Sequence, residues 1–211
     1  MADPTEFHYG VGVRGVRVHQ HCASAGVRSD SRISADRPGW GTSVELVFVL
    51  GVDPGLSRCG YCVLRTDGRR SVPVALGVLR TAPSDPTPNR LAELVGDIRQ
   101  LLSEFSPQSL AIERVLFQVN VRTAMSVGQA AGVVMAEAAG RGMDVVEYSP
   151  NEVKGAVAGY GGADKEQVQK MVQLLLDLPE PPRPADAADA AAVALAHVAI
   201  AGAYTSRVAA R

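Results

Sequence analysis

From residue 44 the chain reads Val-Glu-Leu-Val-Phe-Val-Leu-Gly-Val-Asp, a nearly unbroken β-branched and apolar run that stops at Asp53-Pro54-Gly55. Such a run suits a strand buried on both faces in the middle of a sheet. The Pro-Gly pair is a turn signal, so Asp53 is expected at the strand's carboxyl tip. Two further strands follow at 59–66 and 72–80, joined by Thr66-Asp-Gly-Arg-Arg70, a hairpin signature. The first three strands therefore read as an antiparallel meander.

Past a proline-rich loop, Leu91, Leu94, Val95, Ile98, Leu101 and Leu102 recur at helical spacing and predict a helix over 89–105. Residues 109–113 are a short buried strand after a helical crossover, expected to run parallel to an earlier strand and to place Glu113 at its carboxyl tip. A small-residue helix over 121–141, a strand over 144–148 and a short helix opening at Ser149-Pro150 come next. Helices over 164–176 and 185–203 complete the pattern. The order predicts an α/β domain, a mixed five-stranded sheet flanked by α-helices, spanning residues 44–211.

Residues 1–43 have a different texture, with three of the four histidines, the single tryptophan and no sustained period of 2 or 3.6. They read as a disordered extension or as upstream sequence attached by a misplaced start. His19-Gln-His21-Cys22 lacks the neighbours a metal shell needs. No stretch approaches the roughly 18–20 apolar residues of a membrane span, and without a basic region followed by an apolar block no secretory signal is expected. With three cysteines, an odd number, a reduced cytoplasmic setting is expected. Cys59 and Cys62 form a C-x-x-C inside a strand with no second half-site, and read as strand residues.

Charge gives no help towards a partner. The net charge is −1; residues 1–46 carry five basic and five acidic side chains, and the remainder sixteen and seventeen. Any nucleic-acid reading has to rest on a site rather than on bulk electrostatics.

Four acids supply that site. Asp53 and Glu113 end strands, where ligands of open α/β sheets collect. Asp186 and Asp189, at i and i+3, share a helix face that continues through Ala190, Val193 and His197 towards the sheet. Clustered buried carboxylates repel one another unless protonated or bridged by cations, and all-oxygen donors suit Mg²⁺ or Mn²⁺. Four of them support two metals per site acting on a phosphodiester. Taken singly, Asp53 also suits a turn start and Asp186 a helix cap.

Three segments carry a resemblance. Leu50-Gly-Val-Asp-Pro-Gly-Leu-Ser-Arg-Cys-Gly-Tyr61, Ala111-Ile-Glu-Arg-Val115 and Pro184-Ala-Asp-Ala-Ala-Asp-Ala190 resemble, in order and spacing, the catalytic motifs of the RuvC family of Holliday-junction resolvases. The resemblance implies a ribonuclease H-like fold, a homodimer, and paired symmetric nicks across four-way junction DNA in recombination and repair. It also implies dependence on two Mg²⁺ ions per site, with Mn²⁺ substituting, and association with a branch-migration helicase complex. Its metal-binding acids carry over to Asp53, Glu113, Asp186 and Asp189. Lys154 and Lys165 lie in stretches similar to those bearing DNA-contacting lysines. Many members have an aromatic soon after the motif glutamate; here Leu116 precedes Phe117, which is the candidate for stacking at the junction centre. The small residues Ala124, Gly128, Ala131 and Gly132 mark a candidate dimer contact. Because residues 47–51 resemble a usual family N-terminus, translation is expected to begin near residues 44–47, and an intact mass showing Met1 in the native protein would overturn this.

Other readings are a ribonuclease H-like nuclease acting on RNA or unbranched DNA, an actin-like phosphotransferase, or a junction-binding module without catalysis. An actin-like enzyme usually needs two such domains, and a binding module has no need of all four acids.

Overall fold

The alternating and continuous apolar patterns become five strands and five helices in the computed structural model, which describes residues 46–115 and 121–209. The strands are β1 (Val47–Asp53), β2 (Arg58–Thr66), β3 (Ser71–Arg80), β4 (Ser109–Glu113) and β5 (Asp144–Tyr148). The helices are α1 (Thr87–Phe105), α2 (Val121–Ala139), α3 (Pro150–Ala158), α4 (Lys165–Leu175) and α5 (Ala185–Ala209). The sheet order is β3-β2-β1-β4-β5. β1, β2 and β3 pair antiparallel, while β4 lies parallel to both β1 and β5. The mixed five-stranded sheet with flanking helices is the architecture expected from the sequence.

Helices cover both faces. α1 and α2 pack on one side with Leu50, Val52, Cys59, Tyr61, Leu110 and Ile112. α3, α4 and α5 pack on the other with Val49, Cys62, Leu64 and Ala111. Because side chains alternate along a strand, this division assigns every strand residue to a face. Cys59 and Cys62, three positions apart, therefore point to opposite sides; both are buried free thiols. The C-x-x-C is strand packing, as expected.

α5 lies close on the sheet because both surfaces are stripped of bulk. Ala187, Ala188, Ala190, Ala191 and Ala194 are buried along it. A Cβ on Gly51 would stand 2.4 Å from the Ala190 carbonyl oxygen, and one on Gly60 would stand 2.1 Å from that of Asp186. No side chain other than hydrogen fits at either contact. These two glycines set the height of the helix that bears Asp186 and Asp189 above strands β1 and β2.

Element ends differ from expectation in physically ordinary ways. α3 and α4 each begin with a full capping box, on Ser149 with Glu152 and on Asp164 with Gln167. α2 ends at Ala139, before Gly140 and the left-handed Gly142. α5 runs to Ala209, not to 203, since no proline interrupts its last turns. Residues 1–43, Leu116 and Phe117 fall outside the described residues. Among the described residues no helix is long and apolar enough to cross a membrane.

Candidate active site

Strand parity brings the first two acids together. On β1, Val49 and Gly51 face α5, so Asp53 does too; on β4, Ala111 faces α5, so Glu113 does too. The β1–β4 register pairs Val52 with Ile112, which sets Asp53 and Glu113 side by side at adjacent strand tips. Residues sixty positions apart in sequence thus stand about one strand spacing, roughly 4.8 Å, from each other.

Helix α5 brings the other two. Asp186 lies in its first turn and Asp189 one turn further, both half-buried. A cleft of about 240 Å³ is lined by Asp53, Glu113 and Asp189 with Lys154 of α3 and Lys165 of α4. Asp186 stands at the flank of this cleft. It accepts from both Nε and Nη2 of Arg58 through one carboxylate oxygen, Oδ2. Asp189 Oδ2 accepts from Lys165 Nζ at 2.7 Å. Each helix acid is thus tied to a cation through one oxygen.

The strand acids have no such relief. Neither the Asp53 nor the Glu113 carboxyl has a hydrogen-bond partner among the described residues. Burial, and then the charges of Glu113, Asp189 and Asp186, push the Asp53 carboxyl up to about 7, with Lys165 opposing. Burial and Asp189 also raise Glu113, against Lys165 and Lys154. As they stand, no three acids, histidines or cysteines among the described residues converge tightly enough to grip an ion. Two of the four carboxylates are engaged by the chain's own cations, Asp186 by Arg58 and Asp189 by Lys165.

The donor set nonetheless fits a hard divalent cation. It is all carboxylate, two members carry no protein donor, and their ionisation is resisted until a positive charge is supplied. Cys59 is a soft donor beside the acids. It feels Asp53 and Asp186, so the cluster has a thiol neighbour. Burial holds that thiol protonated, its pKa pushed up to about 12, and it faces the opposite side of the sheet. It is not a ligand.

Of the residues expected at the site, Asp53, Glu113, Asp189, Lys154 and Lys165 line one cleft, while Asp186, expected as the fourth metal-binding acid, stands beside it paired with Arg58. Sequence reasoning missed Arg58. The one available signal was its position immediately after the turn of the first motif, on a strand whose parity aims it at α5. Ala131, a candidate for an intermolecular contact on sequence grounds, is instead buried against the α1–α2 core.

Comparison with known proteins identifies the family. The family model for crossover junction endodeoxyribonuclease RuvC matches residues 49–197. The crossover junction endodeoxyribonuclease RuvC of Natranaerobius thermophilus is 46% identical over 151 residues, 72% of this chain and 94% of that one. The protein of the same name from Parafrankia sp. is 51% identical over 151 residues, 71% of this chain and 85% of that one. The solved structure of T. thermophilus RuvC in complex with Holliday junction substrate is 35% identical and superposes with a TM-score of 0.72, covering 75% of this chain and 97% of that one. The matched span begins inside β1 and ends within α5, and so takes in nearly all of the sheet and all four acids. With a ribonuclease H-like sheet, the three motifs in order and relatives aligned over nearly their full length, the chain belongs to the RuvC family of crossover junction endodeoxyribonucleases.

Proposed function

We propose that the cleft between β1, β4, α4 and α5 hydrolyses phosphodiester bonds at four-way DNA junctions, with Asp53, Glu113, Asp186 and Asp189 as holders of two Mg²⁺ ions. Family membership makes the chain a Holliday-junction-resolving endonuclease of recombination and repair. The observation that carries the site assignment is one cleft lined by Asp53, Glu113 and Asp189 together with two lysines.

Bound there, divalent cations supply Lewis-acid stabilisation of the leaving oxygen and a hydroxide-like nucleophile at neutral pH. The chain's own residues do the rest. Asp53 and Glu113, free of protein donors, keep their oxygens for the cations. Arg58 and Lys165 each occupy a single oxygen of their acid, which leaves the other oxygen of Asp186 and of Asp189 without a hydrogen bond among the described residues. Lys154 and Lys165, at the mouth of the cleft, draw a phosphate towards the acids and offset the charge of the approaching backbone. Phe117 remains the proposal for stacking at the junction centre.

Paired nicks require two copies. α2 presents an exposed, uncharged face through Met125, Gly128, Gln129, Gly132 and Ala136, and a Cβ at either glycine would meet open space. That face supports a homodimer with helices in close approach. The domain spanning 44–211, the cytoplasmic setting and the partnership with a branch-migration helicase complex are carried as parts of the same reading.

The direct test uses a mobile synthetic four-way junction, its linear duplex equivalent, and a cruciform plasmid. Mg²⁺-dependent cutting of the junction and not of the duplex is expected, with Mn²⁺ substituting. Linearisation of the plasmid in one binding event reports a dimer, whereas nicked circles alone would exclude paired cutting. Equal cutting of linear duplex or RNA would overturn the junction reading. Removing Lys165 is expected to weaken junction binding and to flatten its log–log salt dependence by about 1.

A further inference from the structure

A second groove adjoins the acids on the same face of the sheet. It encloses about 840 Å³ and is lined by Leu76, Val78 and Arg80 of β3, Gln169 of α4, and the segment Pro181-Pro182-Arg183-Pro184-Ala185 that leads into α5. One end of it is therefore the residue before Asp186. Its only charged lining residues are Arg80 and Arg183, both exposed; no acid lines it. Neither arginine side chain has a hydrogen bond or ion pair among the described residues.

The sheet register makes this concentration of charge unusual. Arg58 and Arg80 are directly opposed across the antiparallel β2–β3 pair. Like charges in that position destabilise a sheet. Arg58 is compensated by Asp186, whereas Arg80 has no carboxylate. A chain with a net charge of −1 has acids enough to neutralise it. Uncompensated cationic charge kept beside the acid cluster points to an anion supplied from outside.

The distance identifies the anion. β3 is two strands from β1 in the sheet, so the groove begins roughly 10 Å from Asp53. At about 3.4 Å of rise per nucleotide, that is within a few nucleotides of a phosphate held at the acids. The prolines supply a wall with few backbone donors, and the two guanidiniums and Gln169 are the groove's polar side chains.

We propose that this groove is a backbone track for the cleaved strand: Arg80 and Arg183 each neutralise one phosphate of the same DNA strand, a few nucleotides from the bond that is cut. The proposal rests on the nuclease reading above and assigns it a strand path across the β3 edge. Because these contacts are to phosphates, they set position and affinity and carry no sequence preference.

The test compares the full chain with Arg80→Gln/Arg183→Gln, which keeps most of each side-chain stem, and with Arg69→Gln/Arg70→Gln at the opposite end of the β2–β3 hairpin. Binding of a labelled four-way junction and of linear duplex is followed by anisotropy without divalent metal from 50 to 200 mM NaCl, alongside thermal melting. Loss of two phosphate contacts makes the log–log salt slope shallower by about 1.8, so the wild type loses roughly tenfold more affinity over that range than the groove variant. The hairpin variant is expected to keep the wild-type slope. An unchanged slope in the groove variant, or equal flattening in the hairpin variant, overturns the track. Wild-type binding that is equal on junction and duplex yet still depends on the two arginines would refute junction selectivity and leave the track standing. Absence of any salt-dependent DNA binding by the wild type would overturn both.

Discussion

Asp53→Asn and Glu113→Gln are each expected to slow Mg²⁺-dependent junction nicking by roughly 10²–10³-fold or more, the scale of removing one preorganised electrostatic contact at a reacting phosphate or acyl group. Junction affinity without metal is expected to hold or to rise. The substitutions are close to isosteric, so the cleft keeps its shape. Neither acid has a protein hydrogen bond to lose among the described residues. What changes is charge: an amide oxygen is a poor ligand for a hard divalent cation. Removing one negative charge also favours the approach of a phosphate past Lys154 and Lys165. Asp97→Asn is the control, since burial and then Glu93 raise that acid too, yet it sits on α1 across the sheet. Cutting at the wild-type rate by either site variant would refute the assignment, as would an equal loss in the control.

Much of this site is legible in the sequence because two periodicities make definite statements. Strand parity puts every second residue on one face, so a buried strand ending in an acid commits that acid to a side. A pair spaced i, i+3 on a helix shares a stripe. Asp53, Glu113, Asp186 and Asp189 follow from those rules once the strand order is known. The strand order itself is partly readable, since the hairpin at 66–70 forces antiparallel pairing and the α1 crossover forces parallel pairing.

The rest depends on contacts that neither period encodes. That Asp186 turns to Arg58 and Asp189 to Lys165 is decided by how low α5 lies on the sheet, and hence by the absence of side chains at Gly51 and Gly60. Two glycines in strands ordinarily read as weak points; here they are the contact surface. The groove at Arg80 and Arg183 is hidden for a related reason. Its walls come from an edge strand, a helix and a proline-rich turn, joined only in three dimensions. Bulk charge near zero conceals it further, because acids gathered at the cleft cancel arginines gathered beside it.

The acid cluster also makes a thermodynamic prediction, the second large one. The Asp53 carboxyl is held at about 7 in the folded protein against its ordinary 3.8. Between those two values the native state binds a proton that the unfolded chain has lost, so stability without metal falls as pH rises from about 4 to 7 and then levels off. Below the lower value both states are protonated and the group contributes nothing. The full difference corresponds to at most about 4 kcal/mol at pH 8, and Glu113, raised by burial and by Asp189, adds in the same direction. Asp53→Asn removes the Asp53 contribution. The inactive variant is therefore expected to melt higher than wild type at pH 8, by up to roughly 10 °C, and to match it near pH 4. Mg²⁺ is expected to recover much of that difference in the wild type, because a cation bound only to the folded cluster stabilises it by mass action, and to do much less in Asp53→Asn. Melting curves across pH 4–8, with and without Mg²⁺, decide the matter. Parallel curves for the two proteins would mean that Asp53 ionises without strain. Equal Mg²⁺ stabilisation of both would mean that the cation binds somewhere other than at these acids. If the divergence appears, the function of the site explains its cost: four carboxylates are kept together against their mutual repulsion because the ions they await are what holds the reacting phosphate.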